Sequence, residues 1–178
     1  IKFSGRYRTI TSNGIPTHRV GAFPNAGNPH KIKPQSHKFS VAYIPRKAFR
    51  TKKLGTDILM GVAVNGIPFD PMAAEFYLGN HKGWQYNALG GAIPLGLDAN
   101  YAHVQPSGAY HYHGLPVGLM QELGWQAGRP SPLIGYAADG FPIFAMTAKV
   151  DGKVKRMRSS YRLKPGNRPG GSKPSGPH

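Results

Sequence analysis

The sequence predicts a mainly β protein with short helices, a single compact domain built from hairpins and long Gly/Pro-rich loops. Three observations carry that expectation. Gly 24 and Pro 17 among 178 residues cut the chain into segments too short for a helical bundle. Stretches such as KFSVAYIP alternate apolar and polar residues at the strand period. The pattern Asn/Asp-Gly-apolar-Pro recurs at 13–16, 65–68 and 139–142, at spacings that fit no solenoid, and reads as a repeated turn. Nine Tyr, eight Phe and two Trp supply the bulk of a core.

The elements follow in order. YRTITSNGIPTHRV predicts a strand, a turn at Asn13-Gly14, then extended chain. Residues 23–38 are rich in Asn, Gly, Pro and Lys and read as a loop. KFSVAYIP is a strand that Pro45 ends, and the FRTKK segment is a basic connector. GVAVNGIPFD is a strand with a turn at Asn65-Gly66. DPMAAEFYL predicts a short helix, with Asp70 as its cap and Pro71 at the first helical position. Residues 80–100 hold a small apolar cluster with loops, and LPVGLMQELGWQ a short helix interrupted by glycine. IGYAADGFPIFAM is strand, Asp139-Gly140 turn, strand. The domain is expected over 1–168, with a basic N-terminal arm, and 169–178 as a flexible Gly/Pro/Lys-rich tail.

The chemistry concentrates in YAHVQPSGAYHYHG, residues 101–114. Pro106 suits the first corner of a type I turn, and Gly108 the left-handed position after it. A three-residue loop at 106–108 then pairs His103 with His111 and Val104 with Tyr110. The two-residue period adds His113 to the face of His111. His103, His111 and His113 share one face, while Tyr110, Tyr112, Val104 and Ala102 share the other. A two-residue loop at Ser107-Gly108 would instead send His103 to the opposite face. Three neutral imidazoles are a ligand set for Zn²⁺ or Cu²⁺ with a position left open. Asp98 and Asp139 are candidate further ligands or partners. Aromatic packing without metal is the other reading of the same residues. The sequence demands no cofactor; copper or zinc is what this set would take. His18, His30, His37, His81 and His178 are scattered, most of them among residues expected to be solvated.

Charge is distributed in blocks. Residues 1–53 carry +12, residues 57–146 carry −4, and residues 147–178 carry +8. Two basic arms flanking a mildly acidic centre point to an anionic partner. Lys31, Lys33, Lys38, Lys153, Lys155, Arg156 and Arg158 are the candidate contacts. There is no cysteine, which removes thiolate chemistry and disulfides from the chain. No Rossmann or phosphate-loop glycine pattern and no nucleophile elbow is present. No run approaches the ~20 apolar residues of a membrane span, and none reads as a signal peptide. The opening residue Ile1 predicts a processed chain or a piece of one.

The segments NGIPTHRVGAFPNAGNPHKI, GVAVNGIPFDPMAAEFY, WQYNALGG, LGLDANYAHVQPSGAYHYHGLP and LIGYAADGFPIFA together resemble the YHYH domain family, named for the residues at 110–113. The resemblance runs from about Arg8 to about Arg168. It implies a secreted, extracellular protein and assigns no reaction. It also implies a following acidic segment containing Asp-Glu-Cys-Asn-Gly-Arg, before which this chain stops. The expected function is a basic extracellular structural or binding protein held on a polyanion, a mineral such as silica or an acidic polysaccharide, with self-assembly into a matrix. Nucleic acid and membrane are not expected partners. The alternative is a metal-dependent secreted enzyme or metal-binding protein using the histidine hairpin. The shortage of carboxylates leaves few general bases, which ranks binding above catalysis.

Overall fold

In the computed structural model, residues 1–50, 52, 55, 58–81 and 84–160 are described. The expected tail at 169–178 and part of the basic connector lie outside them. Strands β1 (Lys2–Ser4), β2 (Tyr7–Ser12) and β3 (His37–Ala42) form an antiparallel sheet in that order. The central sheet holds six strands: β4 (Gly61–Ala63), β5 (Pro68–Phe69), β8 (Ala102–Val104), β9 (Tyr110–Tyr112), β10 (Leu133–Ala137) and β11 (Pro142–Phe144). Their spatial order is β11-β10-β4-β5-β9-β8. The pairing of β5 with β9, Phe69 opposite Tyr112, is parallel and the others are antiparallel. Two ribbons complete the strands: β6 (Met72–Phe76) with β7 (Gln85–Asn87), and β12 (Thr147–Val150) with β13 (Lys153–Arg156). The mainly β expectation holds.

Three hairpins of the central sheet close in the same way. At 105–109 the Gly108 amide donates to the Gln105 carbonyl at 2.8 Å and the Gln105 amide to the Ala109 carbonyl at 2.9 Å. The pairs Ala63/Gly66/Ile67 and Ala137/Gly140/Phe141 repeat this pattern. Each is a three-residue loop whose last residue is glycine at positive φ, +92° at Gly108. The Asn/Asp before glycine adds a side-chain bond to the amide two residues on: Asn65 to Ile67 and Asp139 to Phe141, as Asn13 does to Ile15. The recurring motif is a turn, as its composition implied.

The core lies under this sheet. Val104, Ala102, Tyr110, Tyr112, Ile67, Phe69, Ala63 and Ile134 pack with Leu119 and Met120 of α1 (Val117–Glu122). The glycine inside that helix is there for packing: a Cβ on Gly118 would lie 2.8 Å from the His18 ring. The first sheet is tied on by Arg8, buried with its guanidinium 3.6 Å from the Tyr136 ring centroid. Phe3 and Tyr43 also flank it. A desolvated cation–π contact of this kind is worth about 2 kcal/mol.

DPMAAEFYL is not the expected helix. Residues Met72–Phe76 form β6, and only Tyr77–Gly79 makes a short 3-10 turn. Tertiary pairing outweighs local propensity here. Asp70 spends its backbone amide on the Tyr112 carbonyl at 2.9 Å, tying the segment to β9. Met72 and Phe76 then pair with Asn87 and Gln85, and Ala73 is buried with Ala88 and Leu95.

Gly108 and Gly152 test what the hairpin turn requires. Both have positive φ, but a Cβ on Gly108 would lie 2.6 Å from the Lys33 side chain, while one on Gly152 meets nothing within 4 Å. Alanine at either position is expected to lose roughly 1–2 kcal/mol from backbone strain. Gly108→Ala should lose more, by about 1 kcal/mol, because Lys33 must also shift. Urea unfolding of both variants measures the difference, and equal losses would mean that the turn does not need the close approach.

Candidate metal centre

The register of β8 against β9 builds the site. His103 pairs with His111, Val104 with Tyr110 and Ala102 with Tyr112. The loop is the three-residue one, so the alternative register is absent. Strand alternation sends Tyr110 and Tyr112 into the core and His111 to the opposite face. The chain leaves β9 with the His113 amide donating to the Tyr101 carbonyl at 2.8 Å, which keeps His113 beside His111.

The three imidazoles meet through Nε2. His113 Nε2 lies 3.0 Å from His111 Nε2 and 3.1 Å from His103 Nε2. The rings stand edge to face, with centroids 4.7–4.8 Å apart. His111 and His113 are buried and His103 is half-buried. Their Nδ1 atoms turn outward. His103 Nδ1 donates to the Leu95 carbonyl at 2.8 Å, and His111 Nδ1 to the Ala109 carbonyl at 3.3 Å. His113 Nδ1 faces the Asp70 backbone without a hydrogen bond of ordinary geometry. Asn28, buried and bonded to the Val104 carbonyl at 2.9 Å, closes the side of His103.

These contacts decide the proton count. A neutral imidazole has one N–H. With that proton on Nδ1, His103 and His111 present lone pairs at Nε2. A proton on His113 Nε2 would serve only one of its two neighbours. At least one contact near 3 Å therefore joins two lone pairs unless a cation sits among them. Tetrahedral zinc at ~2.0–2.1 Å from each nitrogen would space them about 3.3 Å apart; the two contacts that His113 makes are 3.0 and 3.1 Å. Among the described residues, this is the one group of three or more His, Cys, Asp or Glu side chains placed to share an ion.

Neither acid considered with them joins the cluster. Asp98 lies on the tyrosine face, where it accepts from the Tyr110 hydroxyl at 2.7 Å, from the Gly21 amide, and from the Asn100 backbone and side chain. Asp139 is exposed in its turn, bonded to the Phe141 amide. His18, grouped with the scattered histidines, is buried: its Nδ1 donates to the Arg19 carbonyl, and its Nε2 accepts from the Tyr112 hydroxyl. The Tyr112 oxygen in turn accepts from Asn65 Nδ2 at 3.0 Å. Nothing local marked His18, because its partner is 94 residues away. Burial raises both tyrosines well above the ordinary phenol value, with the Asp98 carboxylate adding to the shift, so both hydroxyls keep their protons.

The seven candidate polyanion contacts are all exposed. Lys153, Lys155 and Arg156 lie on β13, Lys38 lies on β3, and Lys31 and Lys33 lie in the loop before it. Lys155 is 3.3 Å from Asp151, a surface pair of little energetic weight.

Burial, then charge repulsion from the neighbouring imidazoles, lowers His111 to about 3 and His113 to about 4. An unfolded imidazole titrates near ~6.5. Below that pH the unfolded chain takes up protons that the native cluster refuses, so stability falls, until pH passes the folded values. The metal-free protein is expected to lose roughly 2 kcal/mol per buried histidine between pH 7 and pH 5. Urea unfolding across this range measures it. His111→Phe should flatten the dependence by about half, and a flat native profile would show that the imidazoles are not held neutral by burial.

No curated protein matches the chain, and no solved structure does. The Tyr-His-Tyr-His hairpin that carries the cluster lies inside a family match spanning residues 38–177, and by that match the chain belongs to the YHYH protein family.

Proposed function

We propose that the protein binds one transition-metal ion, copper or zinc, through Nε2 of His103, His111 and His113. The observation that carries this is the convergence of three Nε2 atoms while Nδ1 of His103 and of His111 is committed to a backbone carbonyl. Carbonyl-bound Nδ1 atoms are the usual way to fix the tautomer and ring angle of a ligating histidine. A buried, protonless contact between imidazoles is costly, and a bound cation removes that cost. Three protein ligands leave a position open, which suits a reactive site more than a closed structural one.

Titration of chelator-stripped protein with Cu²⁺ and Zn²⁺ tests this. One ion should bind per chain, and His111→Ala or His113→Ala should abolish stoichiometric binding. His30→Ala should not. At a free metal concentration one hundred times Kd, native stability should rise by about 2.7 kcal/mol. Unchanged binding in the His111→Ala variant would place the metal elsewhere.

A second role is favoured by a separate observation. All four residues of β13 are exposed, three of them cationic, and Lys149 on β12 is exposed beside them. We infer that this ribbon, with Lys31, Lys33, Lys38 and Arg158, holds the protein on a polyanion, an acidic polysaccharide or a mineral such as silica, in an extracellular setting. Exposed charges act through a field that salt screens to ~3 Å at 1 M. Retention on a sulfated polysaccharide and on silica should therefore be lost at high salt. Neutralising Lys31, Lys33, Lys38, Lys153, Lys155, Arg156 and Arg158 should weaken it strongly, and His111→Ala should leave it unchanged. Retention that ignores salt but needs the histidines would overturn this role.

A further inference from the structure

A cavity of about 260 Å³ adjoins the histidine cluster. His103 and His113 form part of its wall. Met72 and Glu75 of β6, His30 and Gln105 also line it. His111, the most buried of the three ligands, is not in the wall. The cluster thus has a closed side at His111 and an accessible side at His103 and His113. The strand that replaced the expected helix over 72–76 is what brings Glu75 to this cavity.

We propose that the fourth coordination position of the metal opens into this cavity and takes small ligands that coordinate through one oxygen or nitrogen atom, water first. This rests on the metal reading above and adds the class of ligand. The volume admits water and a small-molecule ligand beside the cluster. A water bound to a dication is acidified toward neutral pH. Its proton has two acceptors in the wall, the Glu75 carboxylate and the His30 imidazole. When the water ionises, its O–H bond breaks, the electron pair stays on the metal-bound oxygen, and the proton passes to one of these groups. The Glu75 charge also discriminates: it favours a ligand that offers a proton and opposes a bare anion.

Azide on the copper-loaded full chain is the probe. Stoichiometric Cu²⁺ is measured first, then the azide-to-copper charge-transfer band is followed in a titration. Saturable binding at one azide per copper is expected. Ala74→Trp, on the exposed part of the cavity rim, should keep the copper and weaken azide at least tenfold. Glu75→Gln should keep the copper and strengthen azide roughly three- to tenfold, because a negative charge near the anion is gone. Rescue by charge removal is an effect that a merely structural role for Glu75 would not produce. Loss of copper binding in the native chain would overturn both the metal site and this inference. Copper bound at one equivalent with no response to azide, or azide binding indifferent to both substitutions, would overturn this inference alone.

Discussion

The site depends on one register, that of β8 against β9, and the register depends on one turn. The two hydrogen bonds across 105–109 make the loop three residues long, and that length puts His103 opposite His111. A slip of one residue would exchange the faces of the whole strand. Tyr110 and Tyr112, almost wholly buried, would then surrender the core, and the imidazoles would be driven into it. Burying a tyrosine contributes more than burying any other side chain of this strand. The tyrosines therefore hold the histidines in place without touching the site. The four-residue alternation is a single device: its aromatic half anchors and its imidazole half presents.

The anchoring face is polar as well as apolar, which makes it specific. Each buried hydroxyl meets a partner fixed from another part of the chain: Tyr110 meets Asp98 and Asn100, and Tyr112 meets His18 and Asn65. Asn100 also accepts from the Gly118 amide, which draws the helix into the same network. Leaving one such group unpaired costs ~1–3 kcal/mol, so alternative packings of the hairpin are penalised one bond at a time. The depressed titration of His111 and His113 follows from burial on the opposite face and from the neighbouring imidazoles, and so does the readiness of the cluster for a cation.

Much of this was legible in the residues. Turn chemistry named the loop at 106–108, because Pro106 and Gly108 each have few backbone conformations that suit them. Period two then named the three histidines and the two tyrosine positions. The same local rules located the Asn65-Gly66 and Asp139-Gly140 hairpins and a short helix within 115–126, although Gly118 lies inside that helix and does not interrupt it. What local rules missed was set by distant partners. The segment 70–78 has good helical composition, yet its backbone is claimed by β9 and β7. His18 has no neighbour in sequence that marks it, and its role is fixed by a hydroxyl in β9. Asp98 sits near the histidines in sequence and was a reasonable ligand. It faces the tyrosines because the chain between 98 and 102 turns back on itself, with the Tyr101 amide bonded to the Asp98 carbonyl and Tyr101 at positive φ.

The two proposed roles use different physics and meet at one residue. A metal ion among buried neutral imidazoles depends on lone pairs and geometry, and bulk salt does little to it. A polyanion on exposed lysines depends on a screened field and needs no geometry. Lys33 belongs to both settings. Its side chain is exposed among the basic residues, while its amide donates to the Gly108 carbonyl at 2.9 Å and its stem packs against that glycine. It therefore braces the turn from which the histidine register starts. Neutralising its charge while keeping its stem, as in Lys33→Met, removes a charge from the field and leaves the brace. Lys33→Gly removes both. The charge and the stem of this one side chain thus separate the surface contribution from the structural one, because only the stem touches the turn that sets the metal ligands.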